Sequence, residues 1–509
     1  MGKGFSKKEM RISVILMGII LLEKVLSFAK NIIFAYFFGA QNSTDLYYLA
    51  TNIVSLFNVC FCVSIPMAFL TVFINKGLRE AVPKKQEEVM SNAISAFLII
   101  AIVFTIILLL LAPIIENIIA PTDSIDPNQR LSIYIRILSF IVILYCFSGL
   151  LSSSLECIGN YIPSKLSSLF VSLAGVLFAV FLGHKYGAIV AVYGFLCGIG
   201  VHAIFSYCIL KKERRIRLKI PKYDDNVKTI LRLSFPMMIS VAITSINSLV
   251  DKIIAVRIGE GAVSALNYSS LLSRELVTGV LVAAVSSIVT ARFSENILHE
   301  EYDALNKNIN IVLYIMALIV IPLTVFYFIC SDRIIAFVFE HGAFNISARQ
   351  LTVSAFIGYT FGLIFLPFRE VFIRLQYAYQ DSGNPMKISI ISVFINIVLS
   401  IVFSFMFGIV GISIATSIAT MASSILSYLS IKKVNKIKIK LDAIMYLKLL
   451  TSAVLVFGIA RMCFAAINPD TLTGLVIMAV VVFGGFFVLS FVTNRKMFIN
   501  ALHVMKKSK

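Results

Sequence analysis

The stretch LLEKVLSFAKN, residues 21–31, sets Glu23, Lys24 and Lys30 inside an otherwise apolar run close to the N-terminus. A charged side chain at bilayer depth costs roughly 3 kcal/mol on insertion scales unless it meets water or a partner. Glu23 and Lys30 stand seven residues apart, so they share a helix face with Ser27 between them, and Lys24 lies along a neighbouring line. Lipid does not tolerate such a surface. The first helix is therefore expected to border a hydrated, cationic cavity.

Composition supplies the bilayer. Of 509 residues, 59% are hydrophobic and only 14% charged, and the mean hydropathy is +0.94. Soluble domains are not so apolar, and many runs here approach the roughly 20 residues that cross a membrane. The opening MGKGFSKKEMR is basic, but the run after it has no small-residue cleavage site, so it reads as a retained first span. The net charge of +19 is gathered between apolar runs. The positive-inside rule accounts for it, and nucleic acid is not an expected partner. Four of the eight cysteines, Cys60, Cys62, Cys146 and Cys208, sit within apolar runs, and Cys60 and Cys62 splay around a helix. They read as buried, reduced thiols rather than disulfides or metal ligands.

Apolar runs separated by short polar punctuation predict an all-α polytopic protein of about fourteen transmembrane helices. They fall near 12–37, 46–74, 90–115, 131–156, 164–183, 187–210, 229–257, 262–290, 308–330, 350–376, 386–405, 408–431, 444–466 and 473–493. The ends and even-numbered connections hold the bases: Lys3, Lys7 and Lys8, then Lys76, Arg79, Lys84 and Lys85. Lys211, Lys212, Arg214, Arg215, Arg217 and Lys219 follow, and later Lys432, Lys433, Lys436, Lys438 and Lys440. The odd connections carry Asp45, Glu116, Asp123, Asp126 and Asp470. Both termini are accordingly expected on the cytoplasmic side.

The chain also repeats itself. Asn31-Ile-Ile matches Lys252-Ile-Ile, Gly159-Asn-Tyr-Ile-Pro-Ser-Lys165 matches Gly383-Asn-Pro-Met-Lys387, and Tyr186-Gly187 matches Phe407-Gly408. Ile209-Leu-Lys-Lys212 matches Ser430-Ile-Lys-Lys433, and all four pairs are displaced by about 220 to 224 residues. A constant displacement indicates two copies. Six spans is an even number, so the copies run in parallel, related by an axis along the membrane normal. The predicted organisation is a first lobe over 1–210, a basic cytoplasmic linker over 211–228 and a second lobe over 229–431. Residues 432–509 add two further helices and a basic tail.

Intramembrane charge concentrates in a few spans. Span 7 ends with Asp251, Lys252 and Arg257; span 8 contains Arg274 and Glu275; span 10 contains Arg369, Glu370 and Arg374. Asp251 and Lys252 correspond to Lys30 and Asn31, so both halves place charge at one depth of their first helix. Glu370 and Arg374 have pairing i, i+4 spacing, whereas the adjacent Arg369 and Glu370 are not expected to pair. Asp45 and Arg257 lie near span ends, where snorkelling into headgroups is the competing reading. A cavity rich in Lys and Arg suits an anionic ligand, phosphate or pyrophosphate above all. No phosphate-cradling Gly-rich loop, catalytic triad or paired acid–base site is visible, which points to a transporter rather than an enzyme.

At these residues the chain resembles a known family. FAKNIIFAYFFGAQNSTDLYYLA (28–50), VDKIIAVRIGEGAVSALNYSSLL (250–272), HGAFNISARQLTVSAFIGYTFGL (341–363) and LQYAYQDSGNPMKISIISVFINIVLS (375–400) are similar to the MurJ/MviN lipid II flippases of the MOP exporter superfamily. The resemblance implies a two-lobed alternating-access transporter for an undecaprenyl-pyrophosphate-linked peptidoglycan precursor in the bacterial cytoplasmic membrane. It also implies that spans 13 and 14 form a groove for the lipid tail. The family's cationic cavity positions fall on Lys24 and Lys30, its loop aspartate on Asp45 and its span 8 carboxylate on Glu275.

The chain departs from the family in four places. Lysine replaces arginine at both span 1 positions, the acidic residue after the second is Asn31, and a span 2 arginine becomes Asn58. The span 8 arginine maps to Leu272, leaving Arg274 two residues along, about 200° around a regular helix. Substrate contact is thus expected from Lys24, Lys30, Asp45, Arg274 and Glu275. Cavity or gating roles are expected at Glu23, Asn31, Asn58, Asp251, Lys252, Arg369 and Glu370. No cofactor is expected. Net flux would draw on the membrane potential or on a Na+ or H+ gradient, with Asp251 or Glu275 as the coupling carboxylate. The alternatives are a flippase for another polyprenyl-linked glycan and a cation-coupled drug antiporter, the latter calling for more carboxylate than base.

Overall fold

The computed structural model describes residues 7–119, 130–282, 293–381, 383–434, 441–467, 469 and 471–507. Lys3, Asp123, Asp126, Lys436, Lys438, Lys440 and Asp470, used above to read the connections, lie outside the described residues, as do the side chains of Lys7, Lys8, Cys60, Cys62 and Lys433.

Among the described residues, each expected span is helical over most of its length, with short π-helical turns. The first six spans are α1 (Lys7–Phe38), α2 (Asn42–Val59) with α3 (Ile65–Asn75), α4 (Pro83–Ile119), α5 (Leu131–Cys157), α6 (Ile162–Tyr186) and α7 (Ile189–Glu213). The next are α8 (Asp225–Val256), α9 (Ala262–Ser270), α10 (Tyr302–Phe339) and the pair α11 (Ile346–Gly362) and α12 (Phe365–Ala378). The chain ends with α13 (Gly383–Phe407), α14 (Ile409–Val434), α15 (Ala443–Ile467), α16 (Leu472–Thr493) and a short α17 (Arg495–Lys507). Ten of the described helices are long and apolar enough to cross a membrane, or eleven if α11 and α12, bent by 46°, form one span. Spans 1, 2 and 8 are not among these; they carry site charges or an irregular turn. This is a multi-pass membrane protein.

Two spans predicted as continuous are interrupted, each at a proline. Span 2 passes through a π-helical turn over Cys60–Ser64, just before Pro66. Span 10 breaks at Leu363–Ile364, just before Pro367. A proline lacks the N–H that the i−4 carbonyl expects and its ring crowds that carbonyl, so the ladder widens or opens one turn earlier. Span 8 is irregular without proline, with π-helical segments Leu271–Glu275 and Val277–Val282 after α9.

The chain forms two compact units, Met1–Val256 with Gly342–Phe344, and Arg257–His341 with Asn345–Lys509. In the first, α6 packs on α7 and α1, and α5 packs on α4, α7 and α2, while α8 lies along α2, α3 and α4. In the second, α14 packs on α13, α11 and α12, and α10 gathers α11, α15 and α16. Two helical hairpins, α6–α7 in the first unit and α13–α14 in the second, hold the sequence pairs Tyr186-Gly187 and Phe407-Gly408. Each reverses through a left-handed glycine, Gly187 (φ 66°) and Gly408 (φ 59°), which an L side chain adopts only under strain.

The basic linker is bound rather than loose. Backbone N–H groups of Arg215, Arg217 and Lys219 donate to Glu87 Oε1, Ser91 Oγ and Ser95 Oγ of α4, at 2.9, 3.1 and 3.1 Å. Lys222 and Asn92 exchange two bonds, Lys222 N–H to Oδ1 at 2.7 Å and Nδ2 to Lys222 O at 2.8 Å. Gln86 secures the start: its Nε2 donates to the carbonyls of Leu78, Arg79 and Ala81, and its Oε1 accepts from Arg214 Nε at 3.0 Å.

Candidate functional site

In the first unit the expected residues gather around a side chain that the sequence reading did not single out. Tyr48, on α2, donates its hydroxyl to Asn31 Oδ1 on α1 at 3.3 Å. The Lys252 ammonium, from α8, lies 5.8 Å from the centre of the same ring, within cation–π range. Asn31 and Lys252 are the two positions matched by the internal repeat, and here they address the edge and the face of one tyrosine. Asn31 Nδ2 is held by Ser27 O at 2.8 Å. One helical turn beyond Tyr48, Asn52 Oδ1 accepts from Ser248 Oγ of α8 at 3.0 Å. Asp45, Tyr48 and Asn52 fall at i, i+3 and i+7, a polar stripe that helix spacing alone marks as one face.

The charges differ in how they are held. Lys30 is half-buried; its stem passes the bare Cα of Gly175 on α6, where an added Cβ would come within 3.2 Å of Lys30 Cδ, and its ammonium stands 5.7 Å from the Phe34 ring. Lys24 is open, its side chain 53% exposed, and lies 3.5 Å from Glu23 Oε2. Lys252 and Asp251 are adjacent and both buried, at 7% and 6% exposure. Asp45 is also 6% exposed, which overturns the snorkelling alternative: the carboxylate is packed in the first turn of α2 rather than extended to headgroups. Asn58 is buried with Oδ1 unpaired among the described residues.

Tyr48→Phe keeps the ring under Lys252 and removes only the hydroxyl that Asn31 accepts. One hydrogen bond contributes about 1 kcal/mol net, so the variant is expected to lose about that much stability. A small drop in its thermal midpoint in detergent, beside the unsubstituted chain, checks this.

The second unit holds the remaining charges. The Arg274 guanidinium lies 5.9 Å from the Tyr359 ring centre and lines a small space with Gly362, Leu366, Thr416, Ser417 and Thr420. Glu275 is exposed. Leu272, where the resemblance leads to the expectation of an arginine, is buried, and its carbonyl accepts from Tyr327 Oη at 3.1 Å. Arg369 donates Nε to Ser423 Oγ at 3.2 Å, and its Nη1 stands 3.5 Å from Glu370 Oε1. This corrects the expectation that adjacent Arg369 and Glu370 do not pair. Both side chains are long enough to curl back along the helix, and Glu370 shares its second oxygen with Arg374 Nη2 at 3.9 Å.

A separate apolar cavity of about 550 Å³ lies where α10, α12, α14 and α15 meet. Phe328, Phe365, Phe368, Tyr428, Tyr446, Leu450, Val454 and Phe457 line it, with the hydroxyls of Thr324 and Ser424 among few polar groups. Thr324 Oγ1 is already spent on Val320 O at 2.7 Å. Such a wall accepts hydrocarbon and little else.

Residues 34–483 match the family model described as lipid II flippase MurJ. The probable lipid II flippase MurJ of Treponema pallidum (strain Nichols) is 26% identical over 410 residues, covering 77% of this chain and 76% of that protein. That of Rhizobium tropici is 26% identical over 401 residues, covering 74% and 72%. A solved lipid II flippase MurJ in an inward closed conformation shares the fold with a TM-score of 0.80 at 21% identity, over 95% of this chain and 99% of that one. An inward-facing multidrug resistance MATE transporter of the MOP superfamily follows at TM-score 0.64 and 13% identity, over 82% and 96%. With the family model spanning most of its length, from within α1 to within α16, this chain belongs to the lipid II flippase MurJ family of membrane transporters.

Proposed function

We propose that the protein moves lipid II, an undecaprenyl-pyrophosphate-linked peptidoglycan precursor, from the cytoplasmic to the outer leaflet of the bacterial cytoplasmic membrane. The observation that carries this reading is the family match over residues 34–483. The geometry offers matching chemistry for each end of such a lipid. The ammonium groups of Lys24 and Lys30 suit the diphosphate, and a point charge lets a head group slide past without a fixed planar geometry. The groove against α15 presents aromatic and aliphatic surface for the prenyl chain.

Transfer of the head group breaks no covalent bond; alternation of the two six-span repeats exposes the site to each side in turn. Both termini are read as cytoplasmic. Directed flux draws on the membrane potential, worth about 2.3 kcal/mol per charge per 100 mV, or on a Na+ or H+ gradient sensed at Asp251 or Glu275.

Mass spectrometry of lipid extracted with the purified protein tests the assignment. Lipid II mass supports it, and another polyprenyl-linked glycan in its place overturns it. Val454→Trp, which narrows the groove from an exposed wall position, is expected to lower the amount of copurifying polyprenyl lipid several-fold while leaving the fold intact. The same extraction, normalised to protein, checks this.

A further inference from the structure

The linker bound to α4 has a geometry that suits a membrane surface. Bonds from alternate residues, 215, 217 and 219, meet α4 at every fourth residue, 87, 91 and 95. Two residues of extended chain advance about 6.6 Å and four residues of helix about 6 Å, so the two ladders keep step for three rungs. Arg214 enters this stretch with extended dihedrals, φ −143° and ψ 141°. Side chains alternate across such a backbone. The sequence Arg215-Ile-Arg-Leu-Lys-Ile220 therefore puts its bases on one side and its apolar residues on the other.

The apolar side is uncovered. Ile220 is 92% and Leu218 64% exposed, and only Ile216 is half-buried. Arg215 and Arg217 are exposed and have no carboxylate within ion-pair distance among the described residues, while Lys219 lies 3.9 Å from Glu88. The linker's depth follows from the helix it grips. α4 has 37 residues, about 55 Å of helix against a hydrocarbon layer of about 30 Å, so its polar first turns stand clear of the acyl region. Glu87 to Ser95 covers about 12 Å of its axis, from those polar turns into the first turns of the apolar run. Leu218 and Ile220 thus sit at the deep end, and Pro221 precedes the return to Asn92.

We propose that residues 214–222 are a membrane-surface strap. Arg215 and Arg217 bind the phosphates of anionic phospholipid headgroups, and Leu218 and Ile220 enter the acyl boundary beneath them. This rests on the cytoplasmic placement of the linker given above. Two exposed guanidinium groups with no ion-pair partner among the described residues attract an anionic leaflet, and the bared Leu218 and Ile220 are the complementary hydrophobic anchor.

The chain contains no tryptophan, so Leu218→Trp is a single reporter in the full-length protein. It is to be reconstituted in vesicles of phosphatidylglycerol and phosphatidylcholine, or of phosphatidylcholine alone, with brominated phosphatidylcholine as quencher. Blue-shifted emission and strong quenching are expected in the anionic vesicles. Arg215→Gln with Arg217→Gln should weaken the anionic preference by about five-fold for each charge removed, while the bonds to α4, which use backbone N–H, persist. Water-like emission without quenching overturns the proposal, as does quenching that is equal in both vesicles and indifferent to the two arginines. Flipping measured on the same vesicles separates the two readings: active transport with an unquenched tryptophan removes the strap alone, and quenching in vesicles that move no lipid supports the strap and counts against the transport reading.

Discussion

Lys24→Ala combined with Lys30→Ala is expected to reduce precursor flipping about 100-fold or more in reconstituted vesicles, with the folded protein still recovered in normal yield. A hydrogen bond to a charged group contributes about 1.5–3 kcal/mol, so two ammonium contacts to a diphosphate together account for roughly 3–6 kcal/mol. The single variants should not be equal. Lys30 is held by Gly175 and Phe34 and loses little freedom on binding, whereas Lys24 is open and lies against Glu23. Lys30→Ala should therefore account for most of the loss. Restoring a cation with arginine at both positions should recover much of the activity. Transport undiminished in the double alanine variant would remove these lysines from the site.

The second large effect is expected at Gly342, and it is a loss of stability rather than of binding. Residues 342–344 connect α10 to α11 in sequence but belong to the first unit, where Ala343 N–H donates to Tyr36 O at 2.8 Å. Gly342 has φ 62°, and a Cβ there would collide with Tyr36 O. Across the same contact Gly39 has φ 61°, and its Cβ would collide with Ala343 O. Left-handed backbone costs an L residue about 1–2 kcal/mol, and overfilling a packed site costs about 1–3 kcal/mol more. Gly342→Ala and Gly39→Ala should each destabilise the protein by about 2–5 kcal/mol, seen as a marked drop in thermal midpoint in detergent. A midpoint equal to that of the unsubstituted chain would show that the contact yields freely.

The spans were readable because lipid imposes one simple demand, a long apolar helix, and the charges at Lys24, Lys30, Lys252 and Arg274 stood out against it. Other features needed three dimensions. The helix breaks were signalled by Pro66 and Pro367, but apolar periodicity runs straight through them. Nothing in the sequence singles out Tyr48, because an aromatic ring in a span usually packs against its neighbours. Its role emerges only when α1 and α8 arrive on either side of it. The pairing of Arg369 with Glu370 was missed because helix spacing describes where Cβ atoms point, not where long side chains end. The linker read as a run of bases; that its backbone would satisfy Ser91 and Ser95, two hydroxyls inside a span, was not visible from its charge.

The π-helical turn at Leu271–Glu275 bears on how this chain is compared with its relatives. Such turns interrupt the regular helical register within a single wound cylinder, so downstream positions no longer keep step with a regular helix. Read by the resemblance, span 8 has leucine at 272 where an arginine is expected and an arginine two residues on at 274. Followed along the widened coil, Arg274 is a cation delivered to Tyr359 and the hydroxyls of α14, and the leucine is the residue turned inward. Within this segment a side chain's direction follows the widened turn and not a count of 100° per residue from Leu272.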